Sequence, residues 1–99
     1  MLEVEEVFSS YGRVKVMAVI MGSNELNISE ITRRSGISHS SVEAHLEFLV
    51  KAGLLTEKRF NRIRIFKVNH SSARASLLQR FLVDWSTLAS SRPPEITFN

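Results

Sequence analysis

Between Asn27 and Gly53 the chain carries two helical signals held three residues apart, and that spacing constrains the fold more than any other feature. Asn27 can cap a helix, and Glu30, three residues on, can reach back to its amide. Ile28 and Ile31 share one face of a short helix over 28–35. Gly36 suits the left-handed residue after a last helical turn, because only glycine takes a positive φ cheaply. Ile37 is apolar and plugs the angle between the two segments. Ser38 is a second cap. Val42, Leu46 and Leu49 then recur at i, i+4, i+7 until Gly53, which predicts an amphipathic helix over 39–52. A short helix, a turn with glycine and a second amphipathic helix make a helix-turn-helix, here over 28–52.

The flanks fit around that unit. The apolar run Val14–Met21, closed by Gly22-Ser23-Asn24, admits a strand or a helix by its residues. Its place before a helical hairpin favours a helix. Glu3–Ser10 predicts a shorter helical piece, with Gly12 separating the two. After Gly53, Leu54–Arg59 and Ile63–Val68 read as strands around a Phe60-Asn61-Arg62 turn, a β-hairpin over 54–68. Ser71 or Ser72 opens a long helix over 71–91 with an apolar stripe of Leu77, Leu78, Phe81, Leu82, Trp85, Leu88 and Ala89. Pro93-Pro94 stops it and leaves a tail, 92–99. The predicted fold is mainly α with a small β-hairpin, one domain over 1–91.

With 99 residues the chain holds one small domain. It has no cysteine, so disulfides, thiolate metal sites and cysteine nucleophiles are excluded. No apolar run reaches the ~18 residues of a membrane span. The acidic start, Met1–Glu6, is unlike a signal peptide, and a soluble cytoplasmic chain is expected. His39 and His45 stand six apart and His70 lies beyond the hairpin, so no metal or other cofactor is expected. Asp84 is the only aspartate. No glycine-rich phosphate loop, Ser/His/Asp spacing or paired-carboxylate cleft is present, so no enzyme is expected.

The formal net charge of +3 conceals its distribution. Residues 1–30 carry −3 and residues 31–70 carry +5. Lys58, Arg59, Arg62, Arg64 and Lys67 fall within ten residues that hold no acid. Such a stripe fits a polyanion, or simply a solvated hairpin edge blunted by charge.

The segments Ile28-Ser29-Glu30-Ile31, Ser35-Gly36-Ile37-Ser38, Ser40-Ser41-Val42 and His45–Leu54 together resemble the ArsR-type winged-helix regulators. Arg13-Val14-Lys15-Val16-Met17 is similar to their first core helix. The resemblance covers roughly residues 12–69. MarR-type and archaeal or viral winged-helix proteins share the helix-turn-helix, but the MarR-like motif after the wing is replaced here by Phe66–His70. An archaeal or archaeal-virus repressor is compatible with the compact, cysteine-free chain.

The resemblance implies a winged helix-turn-helix that binds double-stranded DNA and regulates transcription. The second helix would enter the major groove, presenting His39, Ser40, Ser41, Glu43 and Ala44. Thr32, Arg33 and Arg34 would touch the backbone. Lys58, Arg59, Asn61, Arg62 and Arg64 would meet phosphate or the minor groove. The long C-terminal helix would form a two-fold homodimer through Leu77, Leu78, Phe81, Leu82, Trp85 and Leu88. Leu77, Leu78 and Leu82 also suit closing the monomer core. Glu43 and Glu47 fit poorly, since carboxylates face DNA only where cytosine N4 can donate; the alternative is a solvated helix face. Their presence leaves a second function open, a winged-helix protein-docking module. DNA binding predicts affinity that falls steeply with salt, and docking predicts little duplex binding at any salt.

Overall fold

The helices expected on either side of Gly36 form with their caps where the sequence puts them. A computed structural model describes residues 2–90, with side chains through Leu88. Its elements are α1 (Val4–Val7), α2 (Tyr11–Ser23), β1 (Glu25–Asn27), α3 (Ile28–Ser35), α4 (His39–Lys51), β2 (Leu55–Phe60), β3 (Ile63–Val68) and α5 (Ala73–Ser90). Asn27 Oδ1 accepts from the Glu30 amide at 2.8 Å, and Gly36 takes φ 69° while its N–H donates to the Thr32 carbonyl. The return arm of the expected capping box does not form, because Arg33 and Arg34 take the Glu30 carboxylate. Ser38 caps α4 by accepting from the Ser41 amide.

α4 sits at the centre of the packing. Its buried face, Val42, Leu46 and Leu49, meets Val16, Met17, Ile20 and Met21 of α2 and Ile31 of α3. Phe66 and Val68 of β3 and Leu54 and Leu55 at the start of the hairpin close the other side. The hairpin is not alone: β1, which the sequence did not suggest, pairs antiparallel with β3 and puts Leu26 opposite Phe66. The sheet order is β1-β3-β2, so β3 is central. Three residues are too few to show a period-2 pattern. The hairpin turn is also tighter than expected. Phe60 belongs to β2 and pairs with Ile63, leaving Asn61 and Arg62 as the turn, with Asn61 at φ 58°.

α5 opens at Ser72, whose hydroxyl accepts from the Ala75 amide at 3.1 Å. Ala75 is buried, and Leu78 and Leu82 pack partly against the core. Gln79 Nε2 ties the helix to the end of α2 through the Met21 carbonyl and Asn24 Oδ1. Residue 91 and the tail 92–99, with Pro93-Pro94, lie outside the described residues. No helix among the described residues is long and apolar enough to cross a membrane.

Gly12 corrects a sequence expectation. It does not separate two helices; it lies in the first turn of α2, which Ser10 caps. A Cβ at Gly12 would stand 2.8 Å from His45 Nε2, so glycine lets α2 and α4 approach. Burial, with the nearby Arg13 charge, pushes the His45 imidazole below its usual pKa and so favours its neutral form. Gly12→Ala, a change that stabilises most helices by up to about 1 kcal/mol, is therefore expected to lower the urea midpoint here. Adding His45→Ala is expected to recover part of that loss, and additive effects in the double-mutant cycle would remove the contact from the account.

Candidate nucleic-acid interface

The first turn of α4 is the most open part of the helix-turn-helix. His39, Ser40 and Ser41 are exposed there, as is Ala44 one turn on. The Ser41 hydroxyl is joined to Ser38 Oγ at 3.0 Å, while Ser40 stands outward. Of the residues expected on α3, Thr32 is half-buried and its hydroxyl donates to the Ile28 carbonyl at 2.8 Å. Arg33 and Arg34 both grip Glu30, and Arg34 also donates to Ser23 Oγ at 3.0 Å. These hydrogen bonds hold the Glu30 carboxyl down to about 2. The guanidiniums remain at the surface with part of their charge balanced inside the helix.

Arg64 joins the helix-turn-helix to the wing. Its Nε donates to Glu57 Oε2 at 2.8 Å and its Nη2 to Glu57 Oε1 at 3.3 Å. Its Nη1 donates to Glu43 Oε2 on α4 at 3.0 Å. The same guanidinium lies 5.3 Å from the Phe66 ring centroid. The strand alternation explains this. Arg64 and Phe66 share the core-ward face of β3, where Arg59 and Glu57 stand opposite them. Arg64 is therefore turned inward as a strut, not outward in a free basic row. Glu43 is likewise no free reader, since its other oxygen lies 3.4 Å from His39 Nε2. Glu47 remains exposed.

The other wing cations stay at the surface. Lys58 Nζ lies 3.7 Å from Glu25 Oε2, and Arg59 Nε lies 3.6 Å from Glu57 Oε2. Both are long pairs made by exposed cations, of the kind that contribute little. Arg62 is exposed at the turn beside Asn61, with no ion pair among the described residues. The sequence did not single out Phe60 and Ile63, which form the last cross-strand pair before that turn and are both exposed. The signal was present, as two large apolar residues flanking a two-residue turn.

The α5 stripe divides. Leu78 and Leu82 face the core, whereas Leu77, Phe81, Trp85 and Leu88 are 68, 50, 66 and 66% exposed. Phe81 and Trp85 rings tilt against each other with centroids 6.0 Å apart. Leu77, which suited the monomer core from the sequence, lies on the outer row because the inward face of α5 is the one that carries Ala75, Leu78 and Leu82.

The strut predicts an acid response. Its hydrogen bonds from Arg64 hold the Glu57 carboxyl below its ordinary 4.5. A carboxyl with a depressed folded pKa stabilises the fold above its unfolded pKa, and that contribution is lost as pH falls through the folded value. Urea midpoints measured from neutrality downward should fall most below about pH 4.5. Arg64→Met should flatten that fall while the Glu30 contribution persists; a wild-type acid slope in the variant would show the strut to be energetically silent.

Residues 10–57 match the family model described as bacterial regulatory protein, arsR family. No curated protein matches the chain. Solved structures share the fold at low identity. HlyU from Vibrio cholerae is 18% identical over 85% of this chain and 88% of its own, with a TM-score of 0.71. The transcriptional repressor BigR from Xylella fastidiosa is 13% identical over 84% and 79%, with a TM-score of 0.69. The homodimeric winged helix-turn-helix DNA-binding domain of Mb0332 from Mycobacterium bovis, a possible ArsR-family transcriptional regulator, is 14% identical over 97% and 83%, with a TM-score of 0.64. With the helix-turn-helix and its wing matched together, the chain has the winged helix-turn-helix fold, and its residues 10–57 are similar to the arsR family of bacterial regulatory proteins.

Proposed function

We propose that the chain regulates transcription by binding double-stranded DNA as a homodimer, with α4 in the major groove and the hairpin over the adjoining backbone. The observation that carries this reading is the Arg64 strut. It holds the wing against the first half of α4, so that the exposed end of the helix and the exposed hairpin turn are presented as one surface. His39, Ser40, Ser41 and Ala44 are then the residues at the base edges. Glu43 acts by orienting the wing, which accounts for an acid on a DNA-reading helix. Lys58, Arg59 and Arg62 supply phosphate contacts, and Arg33 and Arg34 add a weaker backbone contact through the charge Glu30 leaves uncompensated.

Dimerisation is supported by the outer row of α5. Four large apolar side chains on one helix face, including a tryptophan, suit buried interface anchors. The homodimeric state of the Mycobacterium bovis domain, which shares this fold, agrees with such pairing. A two-fold dimer presents two α4 helices to half-sites about one helical turn of DNA apart, so a pseudo-palindromic operator follows.

Fluorescence anisotropy against duplex length and salt tests the reading directly. Arg62→Ala should weaken binding to all duplexes alike and lower the salt slope by about one. A wild-type chain that ignores duplex DNA at low salt would favour the docking module instead. For the dimer, Trp85→Ala should weaken self-association by about 2 kcal/mol or more, the scale of an interface anchor, which is a factor of roughly thirty. Because Trp85 is exposed in the single chain, the variant should keep its helical circular dichroism. Sedimentation showing wild type and variant equally monomeric at high concentration would overturn the dimer.

A further inference from the structure

We propose that the end of the hairpin is an apolar wedge that enters the DNA minor groove and opens a base step, with Phe60 as the inserting side chain and Ile63 behind it. The inference rests on the DNA-binding reading above and adds to it a mode of recognition. Phe60 is 67% exposed and Ile63 48% exposed, and they face each other across the last cross-strand pair. Neither belongs to the buried core. The core-ward face of the hairpin carries Leu55, Phe66 and Val68, and the Phe60–Ile63 pair stands on the opposite face, beyond the helices. Hairpin ends exposed to water are ordinarily polar, and an aromatic there leaves apolar surface unused.

Three features assign the occupant. The apolar pair is bordered by Lys58 two residues before Phe60, by Arg59, and by Arg62 in the turn, so a polyanion is the complementary surface. The pair lies one cross-strand step beyond Arg64, about 3.3 Å further along the strand, and Arg64 is hydrogen-bonded to Glu43 of α4. With α4 in the major groove, that strut carries the hairpin end to the neighbouring backbone and minor groove. The end itself is narrow, a two-residue turn, and suits a groove about 6 Å wide. Apolar side chains inserted between base pairs unstack the step and kink the duplex, and pyrimidine–purine steps yield most easily. The wedge therefore selects a deformable TA or CA/TG step at a fixed distance from the bases read by α4, without hydrogen bonds to that step.

The test uses the full chain and a duplex selected by the wild type from a random pool, end-labelled for energy transfer and carrying 2-aminopurine at its pyrimidine–purine steps. Wild type should shorten the end-to-end distance and brighten one 2-aminopurine. Phe60→Ala should lose both signals and about tenfold in affinity, near 1.4 kcal/mol, while its salt slope stays at the wild-type value because every cation is retained. Phe60→Leu should keep most of the bend, and Ile63→Ser should lose part of it, so the result does not hang on one variant. Bend, brightening and affinity unchanged in Phe60→Ala would overturn the wedge while leaving DNA binding standing. A wild type that binds no duplex would overturn the DNA-binding reading and the wedge with it. If Phe60→Ala instead abolishes adsorption to phosphatidylserine-containing vesicles and leaves bending intact, the apolar end belongs to a lipid surface and the wedge is wrong.

Discussion

Arg64 is the residue through which the outer part of the hairpin is tied to α4. A β-hairpin attached only at its base would swing relative to the helices. Here a guanidinium spends three donors on two carboxylates, one within the hairpin and one on α4. Planar, forked geometry suits it to that task in a way a lysine ammonium would not match. Partial burial over Phe66 strengthens the bonds by removing competing water. The orientation of the wing, and so everything that the wing presents, follows from this one bridge and from the hydrophobic face of α4 beneath it.

Beneath the bridge, the sheet supplies stiffness. β3 is flanked on both sides, by β2 and by the short β1 that runs directly into α3. Asn27 is thus both the end of a strand and the cap of a helix. The start of the helix-turn-helix is hydrogen-bonded into the same sheet from which the wing extends. Asn69 closes the circuit, donating from its side chain to the Gly53 carbonyl at 2.8 Å and from its amide to Leu54. Arg13, stacked 3.6 Å from the Phe48 ring centroid, holds the N-terminal piece across α4. A buried Nε with no hydrogen-bond partner is tolerated there because the ring face takes up the charge.

Local chemistry made much of this legible in the sequence. Caps at Asn27 and Ser38, the left-handed Gly36 and the spacing of Val42, Leu46 and Leu49 depend on neighbours within a few residues, so α3 and α4 could be read almost to their ends. Elements that depend on distant partners could not. β1 exists because Phe66, forty residues away in the chain, offers Leu26 a place opposite it. Gly12 is explained by His45, and Arg64 by Glu43 twenty-one residues earlier. A run of basic residues shows charge but not direction, and alternation along β3 turned one of the five inward. The α5 stripe showed apolar width but not which side the core would claim.

The Glu30 clamp on α3 carries the same lesson into the behaviour of the whole molecule. Glu30, Glu43 and Glu57 serve as internal counter-ions to Arg33, Arg34 and Arg64. Arg33, Arg34 and Arg64 therefore already hold carboxylate partners on the side a long polyanion would meet. Fewer unspent cations mean fewer small ions displaced on contact with arbitrary duplex, and a looser grip on it.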